Sequence, residues 1–140
     1  MKPVHQTTFG GEDAPESEQG NCMAACLASI FECTLADVPD FTGSIVSGGW
    51  FFHLQKWLAT RNLSLLMLRR PAVDIPAGFA MASVDSETLG PGAHMVVLEA
   101  GKVVHDPNPR AKRKPGVDDY VIEEYWAFTV RDPAAMPVSA

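Results

Sequence analysis

The stretch QGNCMAACLASIF, Gln19 to Phe31, sets a cysteine directly behind Gly20-Asn21 and then runs from Cys22 to Phe31 without a formal charge. Asn21 is a good N-cap residue, so the pattern predicts a helix beginning at Cys22. Ala24, Ala25, Ala28 and Ser29 give that helix a side small enough for close packing, and Cys26, Leu27, Ile30 and Phe31 supply apolar bulk. Such a helix is buried almost all round. Its first residue is a thiol at the end where backbone N–H groups lack helical partners.

On the N-terminal side, residues 1–20 are polar and irregular. GGEDAPESEQG concentrates Glu12, Asp13, Glu16 and Glu18 in a Gly-, Pro- and Ser-containing segment, which reads as a mobile acidic loop. On the C-terminal side, TLAD (Thr34 to Asp37) has the form of a capping box for one short turn, stopped by Pro39. A second helix is expected from about Gly49 to Arg61, where Trp50, Leu54, Trp57 and Leu58 repeat at helical spacing and read as core.

After Asn62 the period changes. LSLLML (Leu63 to Leu68), GFAMASV (Gly78 to Val84), HMVVLE (His94 to Glu99), KVVHD (Lys102 to Asp106) and YWAFTV (Tyr125 to Val130) are short apolar runs separated by turn residues, as expected of strands. Helices followed by strands predict an α+β fold, with the N-terminal helix packed on a mostly antiparallel sheet. The 140 residues read as a single domain, 1–140, with residues 131–140 a loose tail.

Composition narrows the function. A net charge of -6 argues against a general nucleic-acid binder, and the basic run RAKRK (Arg110 to Lys114), bracketed by Pro109 and Pro115, reads as a solvated loop. No window approaches the roughly 20 apolar residues of a membrane span, and MKPVHQTTFG lacks the apolar core of a secretion signal. A cytoplasmic protein is expected, with no membrane partner. Three cysteines, Cys22, Cys26 and Cys33, fit a reducing compartment, and their spacing places them on one stripe of one helix. No CxxC pair accompanies them, so neither a metal nor another cofactor is expected.

The chemistry lies in GPGAHMVVLEAGKVVHDPNP, which holds His94 at the start of one expected strand and Asp106 at the end of the next. With a three-residue loop at 99–101, Leu98 pairs with Lys102 and His94 falls opposite Asp106 on the same face. A two-residue loop would turn Asp106 to the other face. His105 alternates with Asp106 and reads as structural; His53 sits on the second helix beside aromatics with no identifiable partner in the sequence, and Asn108 is an alternative orienting group. A cysteine at a helix start and a paired histidine and carboxylate are the parts of a thiol nucleophile system. The helix N-terminus and an imidazolium favour the thiolate, and Asp106 would orient His94. The Cys22 N–H would supply half of an oxyanion hole.

NCMAACLASI followed by AHMVVLEAGKVVHDP resembles the papain-like cysteine peptidases, in particular the compact domains that trim leader peptides during bacteriocin export and small related proteins of bacteria and phages. The resemblance covers roughly residues 19 to 40 and 90 to 109. It implies Cys22 as nucleophile, His94 as base and Asp106 as orienting carboxylate, acting on a peptide or protein substrate. GNC also looks like the nucleophile segment of ovarian-tumour-type deubiquitinases, although Gln19 stands where that family usually has Asp. Papain-like enzymes carry an oxyanion glutamine about six positions before the nucleophile, and here that position is Glu16, which cannot donate when ionised. Gln6 and Gln19 are the candidates, with Gln6 preferred if the acidic segment loops out. The function expected is a cysteine hydrolase of peptide, isopeptide or related amide bonds. The alternatives are a papain-like fold used as a binding or inhibitory module, or an acyl-transferring relative.

Overall fold

Helices precede strands, as the change of period at Asn62 predicts: α1 (Cys22–Phe31) and α2 (Gly49–Ala59) are followed by β1 (Leu63–Arg69), β2 (Phe79–Ser86), β3 (Gly90–Glu99), β4 (Lys102–His105) and β5 (Ile122–Val130). The computed structural model describes residues 1–11, 13–41, 48–69, 77–116 and 119–135, with the backbone alone for Pro91. Glu12 and the last five residues of the expected tail lie outside these. The strands form one antiparallel sheet in the order β1-β5-β2-β3-β4, so β5, last in the chain, inserts between β1 and β2. The class is therefore α+β. Among the described residues no helix is long and apolar enough to cross a membrane.

Both faces of the sheet centre are buried. On the helical face, Leu27 of α1 and Leu54 and Leu58 of α2 pack with Leu65, Met81, Met95, Val97 and Trp126. On the other, Ala80, Ala82, Val84, Val96 and Leu98 form a second cluster that Tyr120 and Ile122 join. Strands buried on both faces read as continuous apolar runs, which is why β2 and β3 show no polar alternation.

Several local expectations change. Asn21 does not cap α1: its φ and ψ are -107° and 32°, and its side chain makes no cap hydrogen bond. Its Oδ1 accepts instead from the N–H groups of Thr7 (2.8 Å) and Thr8 (3.2 Å), fastening the N-terminal strand of chain to the start of the helix. The stripe of three cysteines is also broken. Glu32, in the left-handed region at φ 54°, ends α1 after Phe31, so Cys33 lies beyond the helix while Cys22 and Cys26 remain one turn apart within it. Helix α2 stops at Ala59, where the N–H groups of Arg61 and Asn62 turn back to the carbonyls of Leu58 and Ala59. The capping box forms as expected, with Thr34 N–H donating to Asp37 Oδ2 at 3.0 Å.

The β3–β4 register differs from the expected one. The loop is Ala100-Gly101 alone, both left-handed (φ 50° and 81°), and Glu99 pairs with Lys102 and Leu98 with Val103. A two-residue loop of two left-handed residues matches the natural twist of a hairpin better than the three-residue loop does. By itself it would turn Asp106 to the wrong face. The ladder then shifts by one residue, pairing Val97 with His105, and this bulge restores the parity. His94 and Asp106 thus become same-face diagonal neighbours, not opposite partners. Strand β3 also starts at Gly90, ahead of His94, and Asp106 lies just past the end of β4.

The acidic segment is closed at its neck. Gly10 N–H donates to Glu18 O, and Gly20 N–H returns to Gly10 O, each at 2.7 Å, with a short 3-10 turn over Glu16–Glu18 between them. A Cβ at Gly10 would run into the Glu18 carbonyl and the Ala14 side chain, so only glycine fits that crossing. The basic run is likewise anchored: the Arg113 guanidinium donates to Asp85 Oδ1 and Asp85 O, both at 2.7 Å, and its side chain is only 12 % exposed.

Candidate active site

Cys22 opens α1, and α1 packs on β3, the strand that carries His94. Since β4 ends at His105, opposite Val97, the β3 backbone ahead of that point has no β4 partner. The first turn of α1 arrives there. Cys22 and His94 line one cleft of about 1030 Å³, close enough that Cys22 helps to raise the His94 pKa.

One ring nitrogen is committed. His94 Nε2 lies 2.7 Å from Asp106 Oδ1, and the two side chains are 9 % and 4 % exposed. Burial works against the charge of Asp106, but the hydrogen bond and charge of His94, aided by Asn108 N–H and Tyr120 OH, hold its carboxyl below the usual value. An ionised carboxylate only accepts, so His94 donates through Nε2 and Nδ1 is the nitrogen left to face Cys22. Burial likewise disfavours the imidazolium, yet the hydrogen bonds and charges of Asp106 and Cys22 outweigh it and push the His94 pKa up to about 9. The charged pair is the ground state of this site near neutral pH.

Asp106 has three hydrogen-bond partners among the described residues. Oδ1 takes His94 and the Asn108 N–H (2.9 Å), and Oδ2 takes the hydroxyl of Tyr120 at 2.9 Å. Asn108 therefore supports Asp106 through its backbone and does not compete with it. Asp-Pro-Asn puts that N–H two residues on, a local turn in which an Asp side chain holds the backbone ahead of it.

Because Asn21 is turned toward Thr7 and Thr8, no side chain caps the first turn of α1. The Cys22 N–H is positioned by helical geometry beside its own thiol, as an oxyanion donor requires. Gln6 is buried: its N–H donates to Pro107 O at 2.8 Å and its Nε2 to Thr8 O at 3.0 Å, while its Oε1 has no partner among the described residues. Gln6 therefore runs between Pro107, next to Asp106, and Thr8, which Asn21 ties to the helix start. Gln19 is buried too, with Nε2 donating to Ala14 O at 3.2 Å inside the acidic loop. Neither glutamine lines the cleft.

Cys26, one turn below Cys22, is fully buried in the core, and burial first and the neighbouring Cys22 second push its thiol well up. It is a packing residue. His105 turns away from the site: Nε2 meets Val4 O at 2.8 Å, its ring packs edge-on to His5 at 5.1 Å, and burial lowers its pKa. His53 is exposed on α2. The described residues hold no group of three or more His, Cys, Asp or Glu arranged to bind a metal.

The cleft is two-sided. Leu35, Val38, Phe41, Trp50, Met95 and Trp126 make an apolar wall, with the Trp50 and Trp126 rings stacked at 5.0 Å. Asp13 and Glu16 of the acidic loop stand on the other rim. Tyr120 and Arg113 were not visible from sequence, because Tyr120 lies in no motif and Arg113 is one of several cations in a basic run. Comparison with protein-family models, with curated proteins and with solved structures gave no match.

Proposed function

We propose that the protein is a cysteine hydrolase of amide bonds, built on a papain-like arrangement in which a nucleophile helix packs on an antiparallel sheet. The observation that carries this reading is the alignment of Cys22, His94 and Asp106: a half-buried thiol and a buried imidazole line one cleft, and the buried Asp106 carboxylate holds the imidazole at 2.7 Å. Isolated buried histidines are driven neutral; this one is held positive beside a thiol.

The reaction balances without a cofactor. The Cys22 thiolate adds to the carbonyl carbon, and the oxyanion collects at the Cys22 N–H and a second donor. As the C–N bond breaks, imidazolium His94 gives its proton to the departing amine, leaving a thioester. Neutral His94 then takes a proton from water as the oxygen attacks; the thioester breaks, releasing the acid and restoring the thiolate. Asp106 keeps Nε2 protonated throughout, so that the proton moves only at Nδ1.

One observation favours a second reading, a papain-like fold serving as a binding or inhibitory module. Both candidate oxyanion glutamines give their amide N–H groups to backbone carbonyls, Gln6 to Thr8 and Gln19 to Ala14. Iodoacetamide at neutral pH separates the two. A hydrolase site should be alkylated at Cys22 ahead of Cys33 and lose this selectivity in His94→Ala, and it should turn over members of a fluorogenic peptide library. Alkylation at Cys22 no faster than at Cys33 would overturn the nucleophile assignment. Selective alkylation without turnover of any library member would favour the binding module.

A further inference from the structure

Behind Asp106 stands a second tier of side chains that the reaction above does not use. Asp106 Oδ1 already serves two donors, His94 and the Asn108 N–H, whereas Oδ2 is met by the Tyr120 hydroxyl at 2.9 Å. A carboxylate held at one oxygen can still turn about its Cβ–Cγ bond. A donor on a rigid aromatic ring at the other oxygen fixes its plane.

Tyr120 is itself held on three sides. Its ring packs against the second cluster of the sheet. The Arg113 guanidinium lies over the same ring, 4.3 Å from its centroid. Arg113 in turn is clamped by Asp85 through Nη1 and Nη2 at 2.7 Å, and its Nε lies 3.3 Å from Glu87 Oε1. The same Asp85 Oδ1 accepts the Val121 N–H at 3.0 Å, so one carboxylate fixes both the cation above the ring and the backbone beside it. Glu87 also accepts the N–H groups of Lys112 and Arg113, each at 3.0 Å, which docks the basic run against the end of β2. Solvated lysines and arginines do not make such a set of bonds.

We propose that Tyr120, clamped by Arg113, is a positioning residue that fixes the plane of Asp106 and so the orientation of His94 toward Cys22. This inference rests on the hydrolase reading of the same site. Burial and the adjacent Asp106 charge hold the phenol well above its ordinary ionisation, so Tyr120 remains a donor over the whole working range. A neutral donor suits the place. It satisfies the second oxygen without adding a positive charge that would compete with His94 for Asp106.

The test is the pH profile of Cys22 alkylation by iodoacetamide, followed by mass spectrometry from pH 5.5 to 9.5. On the hydrolase reading, wild-type Cys22 should still be alkylated at pH 6. Tyr120→Phe removes one oxygen and retains the ring; it should slow alkylation at pH 6 by about tenfold, the worth of one hydrogen bond to a charged group. At pH 9.5, where a thiol ionises without help, the two rates should converge. A merely destabilised fold would not produce that convergence. Arg113→Met, which leaves Asp106 untouched, should give a weaker version of the same profile, and Arg113→Met combined with Tyr120→Phe should be no slower than Tyr120→Phe alone. A wild-type profile in Tyr120→Phe overturns the inference while leaving the hydrolase reading intact. Wild-type alkylation that does not depend on His94 overturns both.

Discussion

His94 Nε2 and Asp106 Oδ1 are 2.7 Å apart, with both side chains almost wholly removed from solvent. Two opposite charges so placed tie the stability of the fold to pH. His94 is raised from its ordinary 6.5 to about 9 in the folded chain, so the folded state holds the proton more tightly. Its contribution is complete below about pH 6.5 and disappears as pH climbs through about 9. The amount at stake is on the order of 3 kcal/mol, taking about 1.4 kcal/mol per pKa unit. Asp106 works in the other direction: its carboxyl is held low, so its share is present above the ordinary carboxylate value and fades as pH falls through the folded one. Urea midpoints from pH 6 to 10 should fall in the wild type and fall less in His94→Ala. Parallel curves for the two proteins would show that the pair is not charged.

The two stacked cysteines of α1 should part company on mutation. Cys22→Ala removes a thiol at the mouth of the cleft and should abolish hydrolysis with little change in melting temperature. Cys26 is fully buried, so Cys26→Ala leaves a small cavity and should cost about 1 kcal/mol with activity largely kept. Loss of activity at full stability in Cys26→Ala would move the nucleophile one turn down the helix.

How much of this was legible in the residues depended on whether the signal was local. The helix at Cys22, the capping box at Thr34 and the strand runs follow from neighbours a few positions apart, and all form. The insertion of β5 between β1 and β2 leaves no local trace, because pairing partners 38 to 67 residues apart (Val84 with Ile122, Leu63 with Val130) are chosen by burial on both faces. The hairpin is instructive in a different way. Pairing by a three-residue loop put His94 and Asp106 on one face, and the chain reaches the same face by a two-residue loop plus a bulge. Parity survived an error in register because the loop shortened by one residue while the bulge added one. Asn21 failed as a cap for a non-local reason: Thr7 and Thr8 compete for its carbonyl from 13 and 14 residues away.

Gln6 offers the sharpest question about the oxyanion hole. Its side chain is buried between Thr8 and Pro107, near both the helix start and Asp106, and its Oε1 is unpartnered among the described residues. To serve a developing oxyanion, that amide would have to leave the Thr8 carbonyl and turn toward the cleft, which it does not line. Gln6→Glu keeps the shape and removes the donor, and should lower kcat by about a hundredfold, the usual loss for one oxyanion donor. Gln19→Ala should instead loosen the acidic loop, since its amide holds the Ala14 carbonyl. If Gln6→Glu turns over at the wild-type rate, the second donor must come from the backbone of the first helical turn.

The acidic loop makes the last prediction. Asp13, Glu16 and Asp40 line the cleft together with Cys22 and His94, and no lysine or arginine does so among the described residues. Glu18 does not line it, and the closed neck at Gly10 and Gly20 holds the loop at the same rim as the nucleophile. The two loop charges alone, about 10 Å from a substrate cation in high dielectric, favour a basic over an acidic peptide by roughly fivefold at 10 mM salt; at 0.5 M, with a screening length of about 4 Å, the ratio should approach one. The apolar wall opposite, with Trp50 and Trp126 stacked within it, should accept a bulky apolar side chain irrespective of salt. Peptides matched at an aromatic residue and differing only as Lys or Glu beside it should therefore separate in kcat/KM at low salt and converge at high salt. Asp13→Asn, Glu16→Gln and Asp40→Asn combined should bring the ratio toward one at low salt. A preference that persists in that triple variant, or that ignores salt, would place charge selection elsewhere than on this rim.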